Sequence, residues 1–164
     1  MRPLTETDIR AAIINASADE TSRMPLPGLH EVLWDQREYL GWRDPQAPHR
    51  GYLVFWRDDR PLGITVRASE ARMGAGSAMC SLCQTLQPAD QVRMFSAPRA
   101  GAAGERGNSV GTYICADLAC SILIRLAAPP TQWRPDADAA IAERAAGLTE
   151  RLSSFTRRVL QDAA

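Results

Sequence analysis

Apolar positions along this 164-residue chain change their period several times, and each change marks an element. Ile9, Ala12, Ile13 and Ala16 recur at helical spacing behind Thr5 and Asp8, a pair placed like a capping box. The pattern predicts a helix over 6–16. Residues 23–50 then lose any period and gather Pro25, Pro27, Trp34, Trp42, Pro45 and Pro48. That stretch reads as ordered loop, with a short helical turn carrying Leu33 and Tyr39 and with aromatics serving as core anchors. Runs at 52–56 and 62–66 flank the polar segment 57–61 and predict a hairpin. Residues 69–78 are small and polar, a flexible lead-in to Cys80. Further strands are expected at 92–96 and 110–114, joined by a loop over 98–109 rich in Gly, Ala and Arg.

From Cys115 the period lengthens again. Leu118, Ile122 and Leu126 form an apolar row with Asp117 in the expected first turn, and Pro129-Pro130 supplies the stop. Pro135-Asp136 begins the last element, where Ile141, Leu148, Leu152, Phe155 and Val159 return at three, four and seven. The expectation is an amphipathic helix of roughly 25 residues, about 38 Å long. Its stripe is expected to pack on the body, with a dimer or partner helix as the other reading.

Composition narrows the function classes. The chain carries 19 basic and 19 acidic side chains, so it lacks the excess positive charge of a general phosphate-backbone binder. Every basic residue apart from His30 and His49 is arginine, which removes Schiff-base, P-loop and general-base lysine chemistry. His30-Glu31 starts like a zinc-protease motif, but Trp34 stands where its second histidine belongs. Met79 before Cys80 likewise departs from the zinc-deaminase pattern. With no nucleophile–base pair in view, an enzyme is not expected. No apolar run approaches the roughly 20 residues that span a bilayer. The first residues, Met1-Arg2-Pro3-Leu4-Thr5-Glu6, do not resemble a secretory leader, so a cytoplasmic, reducing location is expected.

The four cysteines change the picture most. Cys80 and Cys83 have the spacing of a zinc knuckle, and Cys115 and Cys120 form a second, looser pair suited to straddling a helix start. Two short-spaced thiolate pairs suit one soft tetrahedral cation. Two disulfides, a redox pair and catalytic zinc are weaker readings: the compartment is reducing, no thioredoxin-like unit surrounds Cys80, and four thiolates close the shell. The expected cofactor is structural Zn²⁺. Knuckle, hairpin and helix in that order are the layout of a treble-clef finger. The fold class expected is α+β: a small antiparallel sheet with a treble-clef zinc finger and a long C-terminal amphipathic helix. Its parts are 1–78, helix and hairpin of the same domain; 79–128, the finger; and 135–164, the last helix.

Three segments carry a family resemblance: Leu40-Gly41-Trp42-Arg43-Asp44-Pro45, Cys80-Ser81-Leu82-Cys83, and 107–120 with its Cys115 and Cys120. They resemble the elongation factor G-binding family, whose members include the FusB-type fusidic-acid-resistance proteins, over approximately 8–126. The resemblance implies a treble-clef domain that binds elongation factor G and promotes its release from the ribosome, where fusidic acid traps it. It also implies zinc ligation by Cys80, Cys83, Cys115 and Cys120, and it leaves the C-terminal helix outside. The resistance proteins carry an N-terminal helical bundle, in place of which this chain has one short predicted helix. From the residues, a partner face is expected on the finger's hairpin, with Arg93, Arg99 and Arg106 around Phe95 and Tyr113 as anchors. The other reading packs both rings against the helix and uses the arginines to offset thiolate charge. The alternative function is an RNA-binding finger on the ribosome or its RNA, with Tyr113 stacking on bases. No membrane and no small-molecule substrate are expected as partners.

Overall fold

The computed structural model describes residues 1–71, 74–126 and 136–161. Thr5 caps α1 (Glu6–Ala12) by accepting from the Asp8 N–H at 3.1 Å, and the Asp8 carboxylate accepts from the Thr5 N–H at 2.9 Å. The helix ends before the predicted residue 16. Ile13 turns extended and pairs in parallel with Gly63, and the Ile14 N–H donates to the Gly63 carbonyl at 3.0 Å. A second capping box, Ser17 with Glu20, opens the single turn α2 (Ala18–Ser22).

Residues 23–50 are not all loop. Beyond two 3-10 turns at Leu29–Glu31 and Trp34–Gln36 lies β1 (Leu40–Arg43), an edge strand that the sequence pattern does not reveal. Four residues that include a glycine, set among prolines, are too few to display a period of two. β2 (Arg50–Arg57) and β3 (Arg60–Ala68) form the expected hairpin, longer than predicted because the turn is only Asp58-Asp59. Both have positive φ, 47° and 61°, the mirror-type geometry that matches strand twist. β4 (Ser77–Met79) and β5 (Leu86–Pro88) make a separate two-stranded ribbon. β6 (Val92–Pro98) and β7 (Ser109–Cys115) come next, with the short α3 (Ala102–Glu105) inside the predicted loop. Among the described residues two helices follow, α4 (Cys120–Leu126) and α5 (Ala137–Leu160). Asp136 caps α5 through the N–H groups of Asp138 and Ala139, both at 3.0 Å. The predicted stop at Pro129-Pro130 and the Pro135 start lie outside the described residues.

The five main strands form one antiparallel sheet in the order β1-β2-β3-β6-β7, so it draws strands from both sides of the Cys80–Cys83 knuckle. Alternation along each strand divides the core in two. Tyr39, Leu53, Phe55, Ile64, Val66, Phe95 and Ile114 pack under α4, α5 and the cysteines. From the opposite side of β1 and β2, Leu40, Trp42, Tyr52 and Val54 meet Ile9, Ala12 and Met24 of the N-terminal segment. Trp42 and Tyr52, directly opposed in register, stack at 4.9 Å between centroids. Leu148, Leu152, Phe155 and Val159 are the buried row of α5, as its periodicity predicts. Among the described residues no helix is long and apolar enough to cross a membrane.

Candidate metal centre

Each ligand sits where local structure must turn. Cys80 and Cys83 lie in the tight turn between β4 and β5, where the Cys83 N–H points at the Cys80 Sγ at 3.5 Å and Gln84 takes φ 55°. Cys115 does not open a helix, as its sequence context suggests. It is the last residue of β7, paired with Val92, and Cys120 is the first residue of α4. The looser spacing is therefore a strand end, a turn and a helix start. Leu118 inside that turn has φ 61°, and its N–H donates to the Cys115 carbonyl at 2.9 Å.

The four sulfurs lie within 4.8 Å of one another and all four cysteines are buried. Cys80–Cys120 and Cys83–Cys115 separations are 3.6 Å, and Cys115–Cys120 is 3.4 Å. Tetrahedral zinc with Zn–S near 2.3 Å requires sulfurs about 3.8 Å apart, so the set fits the ion closely. The electrostatics agree. Hydrogen bonds from Cys115 and then Cys120 draw the Cys83 thiol down, whereas contacts with Cys115 first, then Cys80 and Cys83, hold Cys120 well up. Four thiols in one buried space cannot all ionise by themselves; a dication makes all four thiolates favourable. With every ligand a thiolate the shell is closed, so Cys80, Cys83, Cys115 and Cys120 form a structural zinc site.

Side chains that the sequence did not flag hold this geometry. The buried Gln87 amide donates to the Cys115 Sγ at 3.3 Å, a polar side chain at the inward position of β5. Tyr39 reaches under the ligand turn: its hydroxyl donates to the Leu118 carbonyl at 2.7 Å and accepts from the Cys120 N–H at 3.2 Å. Burial first, then the neighbouring Cys120, raises its pKa well above the ordinary phenol value. Gly41 makes room for the turn, since a Cβ there would stand 2.4 Å from the Leu118 carbonyl oxygen. Two guanidiniums approach the thiolate cluster through carbonyls, Arg43 at Ala116 (2.7 Å) and Arg151 at Leu82 (2.5 Å). The one signal in the sequence was the segment containing Gly41; Gln87 and Arg151 had none.

The predicted partner residues do not form one face. Phe95 is 0% exposed and lies under the Arg43 guanidinium, 5.1 Å from its ring centroid. It is a core residue with no surface to offer a partner, which corrects the expectation of an anchor. Arg93 shares that side of β6, half-buried, with Nη1 3.5 Å from the Ser69 carbonyl. Tyr113 pairs with Met94 on the opposite side and stays 39% exposed. Arg106 is exposed beyond α3, and Arg99 donates to the Gln161 carbonyl at the end of α5 at 3.0 Å.

The family model described as "FBP C-terminal treble-clef zinc-finger" matches residues 8–159. It takes in α5, which the sequence resemblance leaves out. No curated protein sequence matches the chain. A solved structure titled "Structure of the fusidic acid resistance protein FusC" is similar in fold, with a TM-score of 0.50 at 18% identity. The likeness covers 82% of this chain but only 50% of that one, so the chain spans about half the length of this neighbour. With a four-thiolate centre, knuckle, hairpin and helix in the expected order, and a match over nearly its whole length, the chain belongs to the FBP C-terminal treble-clef zinc-finger family.

Proposed function

We propose that this protein is a non-catalytic binding module that engages elongation factor G through its zinc unit and promotes release of the factor from the ribosome in the cytoplasm. Family membership supports the partner class, and the closed thiolate shell supports a scaffold in preference to a catalyst. The observation that carries the reading is the apolar surface left open at the finger. Met79 and Leu86 face each other across β4 and β5 at 57% and 64% exposure. The Ser81 N–H donates to the Tyr113 carbonyl at 2.8 Å, so the ribbon is docked beside the exposed Tyr113. Large apolar and aromatic side chains clustered in the open are what an interface core needs.

The test is co-elution of zinc-loaded protein with purified elongation factor G after nuclease treatment. A complex is expected for the native chain, strongly weakened in Tyr113→Ala and in Met79→Ser/Leu86→Ser, with zinc content unchanged. Cys115→Ser should abolish both zinc and complex. Absence of a complex at about micromolar concentration with zinc bound would overturn the proposal. Binding that instead needs RNA and falls steeply with salt would assign the finger to nucleic acid.

A further inference from the structure

A second site lies on the other side of the sheet from the zinc. A cleft of about 480 Å³ opens between the 13–24 segment, the near ends of β2 and β3, and the 98–105 turn. That volume is in the range of small-molecule sites. Its most unusual feature is an arginine pair. Arg50 and Arg67 are directly opposed in the β2–β3 register and both line the cleft. Like charges at opposed positions of a sheet destabilise it. Among the described residues neither forms an ion pair, so the repulsion is not relieved by contact with a carboxylate.

Arg50 lies two residues from Tyr52 on the same side of β2, and the Tyr52 phenol donates to the Asp44 carboxylate at 3.0 Å. Asp44 is spent on that bond and on the N–H groups of Gln46 and Ala47. Glu20 lines the cleft and feels the field of both arginines, and one of its oxygens, Oε2, accepts from the Ser17 N–H and hydroxyl at 3.0 and 3.1 Å. Glu105 also lines the cleft, and Arg99 beside it is held by Gln161. The polar floor is closed: the Asn15 amide is saturated by Thr65 and Pro98. Ile13, Met24 and Pro98 supply the apolar wall.

We infer that this cleft binds an organic phosphate monoester, its phosphoryl group on Arg50 and Arg67 and its apolar body against Ile13, Met24 and Pro98. Two arginines on directly opposed residues of one cleft match a dianion with three acceptor oxygens better than a singly charged carboxylate. Glu20 opposes the ligand's charge and so sets the affinity.

Phenyl phosphate is the probe, with benzoate as the singly charged comparison, read by calorimetry on the zinc-loaded chain. Saturable phenyl phosphate binding is expected at about millimolar or tighter. Arg67→Gln, at an exposed position, should weaken it roughly tenfold to a hundredfold. Glu20→Gln should tighten it several-fold, since glutamine preserves the capping box while removing the negative charge. Arg60→Gln, an exposed arginine outside the cleft, should change nothing, and zinc content should stay constant throughout. No saturation, an isotherm unaltered by Arg67→Gln, or benzoate bound equally well would each overturn the assignment.

Discussion

Individual residues decide whether the ligand turn can sit on the sheet. Gly41 is a sharp case, because a Cβ there meets the Leu118 carbonyl oxygen at 2.4 Å and the buried Tyr39 ring at 2.6 Å. Gly41→Ala is expected to cost about 1–3 kcal/mol through overpacking, and to lower zinc affinity because the displaced Leu118 lies between two ligands. Denaturant melts and competition with a chromogenic chelator would check both; a variant as stable as the parent would mean that β1 yields easily. Ser17 offers a pH test. Hydrogen bonds from the Ser17 backbone and then its hydroxyl hold the Glu20 carboxyl below its ordinary value. A depressed carboxylate pKa adds stability that is complete above the unfolded value and lost as pH falls through the folded one. Ser17→Ala should therefore cost about 1 kcal/mol near neutrality. The deficit should shrink on acidification below about pH 4. A deficit that is independent of pH would sink the charge-assisted explanation.

Elements are legible in proportion to their length and to how sharply their apolar positions are marked off. The 52–66 hairpin is readable as two apolar runs about a polar turn, β2 being buried on both faces, whereas the stripe on α5 buries one face and so writes its period into the sequence. β1 is not readable, since four residues cannot display alternation. α1 reads as too long because Ile13 and Ala16 keep helical spacing although Ile13 is committed to a bridge with Gly63. The metal ligands are fully legible from spacing, yet the element carrying Cys115 is not. Helical spacing of Leu118, Ile122 and Leu126 hides a residue with positive φ at Leu118. Phe95 is deceptive for a related reason: a hairpin residue beside arginines looks like surface until the helix above it is known. Elements also carry a prediction about α5. Leu152 is fully buried in the zinc-side core, so Leu152→Ala should cost about 2–5 kcal/mol. Because Arg151 on the same helix bonds the knuckle carbonyl of Leu82, faster zinc release should accompany the loss. Unchanged release kinetics would show that the knuckle is independent of α5.

At the scale of the whole molecule, one sheet serves two cores, and the zinc belongs to the larger. All four cysteines are members of the cluster that also contains Leu53, Phe55 and Ile64 from β2 and β3. On its other face β2 presents Tyr52 and Val54 to the N-terminal segment. Removing the ion leaves four buried cysteines that cannot all stay ionised and must take up protons, and it releases β4, β5 and the start of α4. The zinc-side faces of β2 and β3 then open to water, and the smaller core cannot hold the sheet alone. Chelation is therefore expected to abolish the near-ultraviolet signal of the Trp42–Tyr52 stack, although that stack lies on the face away from the cysteines. Zinc release followed by dye and aromatic circular dichroism should run as one transition with a shared midpoint. If the aromatic signal survives after zinc has left, the N-terminal core is a separate cooperative unit and the metal stabilises only its own half of the fold.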